Sequence, residues 1–191
     1  MPGPWSPVTL LVRRHSVLDA LLTRIRDLGP SSIAIEGAPN SGKTTLGRHL
    51  VERLPATLFS LDTYVRHRGE VPYRELIDAA CLTFDLAACL DSNRIPILEG
   101  VCLREVLDLI DFQPQYFVYV RNRSNEPEFV GVDLSKDQFH EFELTHREEM
   151  ASLVAVLSQA PAITLDFENA QYHFVRKPVS HADFVFEWGG A

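Results

Sequence analysis

Nine consecutive residues, Gly37-Ala38-Pro39-Asn40-Ser41-Gly42-Lys43-Thr44-Thr45, constrain this chain more than any other stretch. They complete the pattern G-x-x-x-x-G-K-[ST]. Ser32 to Gly37 reads as a short buried strand running into the loop. Leu46 to Leu54 reads as a helix, with Leu46, Leu50 and Leu54 four apart on one face and Val51 beside them. Strand, glycine loop and helix in that order make a cradle for phosphate. Gly37 and Gly42 let the backbone turn without a Cβ in the way. The turned backbone then aims N–H groups inward at a helix N-terminus. In such a cradle Lys43 reaches the β- and γ-phosphates, the Thr44 hydroxyl takes Mg²⁺, and Thr45 bonds the α-phosphate.

The chain has 191 residues, enough for one domain with a sizeable core and too few for two full ones. We expect a single domain over 1–191, with residues 1–14 a flexible leader. The formal charge of −8 argues against a general nucleic-acid binder, which is usually basic. It does not exclude a small anionic ligand, because basic residues can concentrate locally. No apolar run approaches the ~20 residues of a membrane span, and the start lacks a secretory signal. Cys81, Cys89 and Cys102 have no paired spacing, which points to reduced, buried thiols and a cytoplasmic protein. Nothing in the sequence specifies an oligomeric state.

Taken in order, His15 to Leu28 carries an apolar stripe at helical spacing and is closed by Gly29-Pro30. Ala56 to Leu61 reads as the second strand, Tyr73 to Leu90 as a helix with Leu76, Ile77, Ala80, Cys81 and Phe84 on one face. Ile95 to Gly100 is the third strand, Val101 to Ile110 a short helix, and Tyr116 to Val120 the fourth strand. Four β-then-α units with near-continuous apolar strands predict a parallel sheet covered on both faces. Phe139 to Leu157 reads as a long helix. Ile163 to Phe167 and Tyr172 to Val175 read as two short strands, a possible small C-terminal hairpin, before a last strand over Asp183 to Trp188.

Charged residues at strand ends fall on the rim where open α/β sheets bind ligands. Asp62 follows the second strand, Glu99 closes the third, and Arg121 and Arg123 follow the fourth. With Lys43, Thr44 and Mg²⁺ they supply what phosphoryl transfer to a hydroxyl needs. Asp62 would orient the hydroxyl and accept its proton. Glu99 would hold Mg²⁺. Arg123, or Arg147 from the long helix, would neutralise charge on the moving phosphoryl group. Tyr64, His67, Arg68 and Arg104 are candidates for contact with the acceptor.

These motifs together resemble the uridine kinase-like group of P-loop kinases, with nicotinamide riboside kinase, phosphoribulokinase and pantothenate kinase as relatives. The residues carrying the resemblance are Ile35 to Thr45, then Phe59-Ser60-Leu61-Asp62-Thr63-Tyr64, then Ile97-Leu98-Glu99-Gly100-Val101. A fourth piece, Lys177 to Val185, is similar to the segment that borders the adenine pocket, which would put His181 beside the nucleotide. The resemblance implies an α/β fold, the P-loop NTPase three-layer fold with a five-stranded parallel sheet of order 2-3-1-4-5. It implies ATP and Mg²⁺ as cofactors and a small-molecule substrate; charge and hydropathy give no nucleic acid and no membrane as partner. Asp62 matches the acceptor-side aspartate and Glu99 the acid after the third strand.

Two other readings remain. The acceptor could be a nucleotide, a sugar or an antibiotic; a nucleoside monophosphate would call for clustered arginines, and Arg66, Arg68, Arg74 and Arg104 keep that open. A regulatory NTPase without a small acceptor is the other, although the chain carries neither the Asn-Lys-x-Asp nor the D-x-x-G motif of switch GTPases.

Overall fold

The computed structural model describes residues 7–66, 71–123 and 165–188. The elements run α1 (Pro7–Leu28), β1 (Ile33–Glu36), α2 (Lys43–Val51), β2 (Ala56–Ser60), a 3₁₀ turn (Leu61–Tyr64), α3 (Tyr73–Leu76), α4 (Ala79–Asp91), β3 (Ile95–Glu99), α5 (Leu103–Leu109) and β4 (Tyr116–Asn122). The last two described elements are α6 (Leu165–Arg176) and β5 (Phe184–Trp188). The strands form one sheet of order β2-β3-β1-β4-β5, every pair parallel, as expected from the sequence.

Side chains alternate across a strand, and that alternation sorts the core into two layers. Ile33, Ile35, Ile97, Val118, Val120 and Phe186 pack with α1 and α2. Ala34, Phe59 and Leu98 pack with α4, α5 and Tyr172 of α6. The same period decides where the polar strand ends point. Glu99 lies two residues beyond Ile97 and so faces α2, while Glu36 lies two beyond Ala34 and faces α5 and α6.

Four sequence expectations need correction. Helix α1 begins at Pro7, not His15, and takes in half of the expected leader. Pro7 suits a first helical turn, where its fixed φ is preorganised and its missing N–H costs nothing. The helix expected over Tyr73 to Leu90 is broken. Ile77 is extended and bridges Val65, and Asp78 caps a new helix by accepting from the Cys81 N–H at 3.0 Å. The break resets the helical phase. Leu82, Leu86 and Cys89 are therefore the buried residues, while Phe84 and Cys81 are exposed. Among the described residues the expected C-terminal hairpin is replaced by helix α6, Leu165 to Arg176, which takes in Tyr172 to Val175. Aromatic and β-branched side chains there favour a strand locally, but Tyr172 and His173 spend their polar tips on Glu36 and Tyr119, which a helix allows. The expected helix over Phe139 to Leu157 lies outside the described residues. Among the described residues no helix is long and apolar enough to cross a membrane.

Candidate active site

β1 delivers the chain into the loop 37–42, and α2 begins at Lys43. A Cβ on Gly37 would come within 2.4 Å of the Val120 carbonyl oxygen, and one on Gly42 within 2.5 Å of Trp188 Nε1. Only glycine permits these approaches. Lys43 is buried, and its Nζ donates to the Ala38 carbonyl at 2.8 Å. Burial lowers the Lys43 pKa, and the negative charges of Glu99 and Asp62 oppose that shift. The loop thus holds the Lys43 amine against its own backbone, within electrostatic reach of two carboxylates that line the same cavity.

Thr44 Oγ1 donates to Glu99 Oε1 at 2.8 Å. The first turn of α2 and the end of β3 meet here because Ile97 and Glu99 share the face that α2 covers. Two hard oxygen donors at this spacing fit Mg²⁺, which takes few protein ligands and completes its octahedron with phosphate and water. Among the described residues no group of three or more His, Cys, Asp or Glu is arranged to hold a metal, so those further oxygens would come from the nucleotide and solvent.

Asp62 sits in the 3₁₀ turn after β2, and Ser60, the last residue of β2, pairs in register with Glu99. A cavity of about 390 Å³ brings Lys43, Thr44, Thr45, Asp62 and Glu99 together, with Pro39, Asn40 and Gly42 of the loop and Leu165 from α6 in its wall.

The other expected site residues stand elsewhere. Tyr64 donates to Asp85 of α4 at 2.8 Å. Arg104 grips the buried Glu36 with Nη2 at 2.8 Å and Nε at 3.2 Å, and its guanidinium lies 4.1 Å over the Phe117 ring. Tyr172 O–H also donates to Glu36. Burial raises the Glu36 pKa, and Arg104 opposes it. Arg123 bonds both oxygens of Glu187 at 3.1 Å, and Arg121 lies 3.5 Å from the same carboxylate. His181 is exposed, its Nδ1 3.0 Å from the Arg176 carbonyl. Its neighbours Val179 and Ala182 pack against Ala38 and Tyr119, so this segment does flank the loop. His67, Arg68 and Arg147 lie outside the described residues.

Sequence reasoning missed Tyr73. Its hydroxyl donates to Asp62 Oδ1 at 3.0 Å. An aromatic eleven residues after an aspartate matches no pattern.

No protein-family model matches the chain, and no curated protein matches it in sequence. Among solved structures it is similar to a possible uridine kinase from Bacillus stearothermophilus, at 18% identity and a TM-score of 0.51, covering 90% of this chain and 98% of that one. It is also similar to a shikimate kinase from Bacteroides thetaiotaomicron, at 18% identity over 82% and 85% of the two chains; the TM-score of 0.40 is too low to argue from. Together with the strand order, the first likeness establishes a P-loop fold shared with that possible uridine kinase.

Proposed function

We propose that this chain is an ATP- and Mg²⁺-dependent phosphotransferase that moves the γ-phosphoryl group onto a hydroxyl of a nucleoside or similar small metabolite. The observation that carries the proposal is that one cavity is walled by Lys43, Thr44, Asp62 and Glu99 together. The structural likeness to a possible uridine kinase supports the kinase class and says nothing of the acceptor.

In this reading the loop N–H groups and Lys43 bind the phosphates of the nucleotide. Thr44 and Glu99 hold Mg²⁺, which when bound spreads the charge on the phosphate oxygens. Asp62 orients the acceptor hydroxyl. A bond forms from the acceptor oxygen to the γ-phosphorus, the bond to the β,γ-bridging oxygen breaks, and ADP leaves with that electron pair. The hydroxyl proton passes to Asp62 and on to solvent. Arg123 or Arg147 would neutralise charge on the moving phosphoryl group. Arg123, its guanidinium on Glu187, would first have to leave that carboxylate.

A hydroxyl acceptor without a phosphate of its own is favoured by where the described arginines of that set go, Arg68 lying outside the described residues. Arg66 pairs with Asp78 at 2.5 Å and Arg104 with Glu36, while Arg74 lines a separate cavity. The experiment is ADP release from Mg·ATP against nucleosides, nucleoside monophosphates, nicotinamide riboside, pantothenate and simple sugars. Strong stimulation by one nucleoside-like acceptor supports the proposal. Stimulation by a monophosphate alone would replace its acceptor class.

A further inference from the structure

Asp62 is exposed and stands at the start of a short turn, where a carboxylate ordinarily samples several rotamers. A group that must aim one lone pair at an acceptor hydroxyl needs its orientation fixed. Tyr73 supplies that restraint. Its ring is buried in the core beside Leu61, and its hydroxyl emerges to donate to Asp62 Oδ1 at 3.0 Å. The bond restrains the rotation of the carboxylate and leaves it lone pairs with which to accept from a hydroxyl.

Tyr73 is itself fixed from its other end. It opens α3, where the first N–H groups of a helix lack intrahelical partners. Its N–H donates to both carboxylate oxygens of Glu168 on α6, each at 3.1 Å. Helix α6 also brings Leu165 into the cavity wall one turn earlier. Behind α3, the chain is pinned back to the segment after β2 by the Arg66 N–H to Leu76 carbonyl and Asp78 N–H to Tyr64 carbonyl bonds, at 2.9 and 2.8 Å. The phenol stays a donor across the working pH range, because burial and the Asp62 charge both raise its pKa.

From this geometry we infer that Tyr73, held by Glu168, is a positioning residue that fixes the Asp62 carboxylate toward the acceptor hydroxyl. The inference rests on the phosphotransferase reading and adds a residue to it. It makes α6 more than a cover: the helix that walls the cavity also sets the angle of the carboxylate across from it.

The test is a double-mutant cycle on Tyr73→Phe and Asp62→Asn. The rates are ADP release from Mg·ATP with the most stimulating acceptor of the panel above. The affinity for a fluorescent ATP analogue with Mg²⁺ and the melting temperature are measured beside them. Tyr73→Phe should lower kcat by roughly 10- to 100-fold, as a misplaced catalytic group does. Nucleotide affinity and KM for the acceptor should be nearly unchanged. Because both side chains act as one unit, the double variant should be no slower than Asp62→Asn alone. Glu168→Ala, which reaches Asp62 only through the Tyr73 backbone, should lower kcat in the same direction and also show no further loss over Asp62→Asn. Full kcat in Tyr73→Phe, or losses that multiply in the double variant, would overturn the inference. Should Tyr73→Phe fail to fold, the Glu168→Ala cycle decides by the same criterion. If Asp62→Asn keeps full activity, or the wild type releases no ADP with any acceptor, the phosphotransferase reading itself has failed and the inference falls with it.

Discussion

The Thr44 hydroxyl reaches across 55 residues of chain to donate to Glu99 Oε1 at 2.8 Å. One residue comes from the first turn of a helix and the other from the end of a strand, and the parallel order of the sheet makes them neighbours. Replacing Glu99 with Gln keeps the size and removes the charge. We expect the Mg²⁺ concentration for half-maximal ADP release to rise by roughly 10- to 100-fold, the usual cost of disturbing a metal's oxygen shell. A Mg²⁺ titration of ADP release checks it, and an unchanged midpoint would remove Glu99 from the metal site.

Gly37→Ala tests the loop as a backbone device. The new Cβ would lie 2.4 Å from the Val120 carbonyl oxygen, a backbone atom of β4 that cannot swing aside. The strain should cost about 2 kcal/mol or more of stability and weaken nucleotide binding. Thermal melting with and without Mg·ATP reads both. A variant with wild-type melting and affinity would mean that the loop tolerates a side chain here.

Arg104→Ala should destabilise the chain in a pH-dependent way. Glu36 is buried, and removing its cation leaves a charge without compensation, at a cost of about 3 kcal/mol or more near neutrality. The folded-state pKa of Glu36 is raised above 4.5 by burial, and losing Arg104 raises it further. The folded state then holds its proton more tightly than the unfolded chain. Stability relative to wild type is best below about 4.5 and falls as pH rises through the folded pKa. Denaturant unfolding at pH 5 and pH 8 measures the difference; an equal loss at both would contradict it.

His173 works in the opposite sense. Its Nδ1 faces the Asn169 carbonyl at 2.6 Å and so carries the proton, which leaves Nε2 to accept from Tyr119 O–H at 2.9 Å. Burial holds its pKa down to about 4 from 6.5. Between those values the unfolded chain takes up a proton that the folded one refuses. The stability is complete above 6.5 and is lost as pH falls toward 4, by roughly 3 kcal/mol. His173→Gln should flatten the stability profile across that window relative to wild type. A profile parallel to wild type would show that His173 does not titrate there.

The strands and the phosphate loop were readable because they are local: apolar runs of the right length, and a glycine pattern whose spacing is the geometry. Lys43, Thr44, Asp62 and Glu99 followed from them, since a parallel sheet brings strand ends to one rim. What escaped depended on partners far along the chain. Arg104 reads as an acceptor contact until Glu36, 68 residues earlier, is seen to hold it. Tyr172 and His173 read as strand until their polar tips find Glu36 and Tyr119. The buried face of α4 was misassigned because one extended residue, Ile77, shifts the helical phase, and Tyr73 was missed because its partner Asp62 stands eleven residues away at no recognisable spacing.

The most direct measurement is ADP release from Mg·ATP across the acceptor panel, with wild type and Asp62→Asn side by side. The account predicts that one hydroxyl acceptor strongly stimulates the wild type. It also predicts that Asp62→Asn binds the nucleotide normally yet loses about 10²-fold or more of the stimulated rate. Slow release indifferent to every acceptor, or an Asp62→Asn variant as fast as wild type, would contradict it.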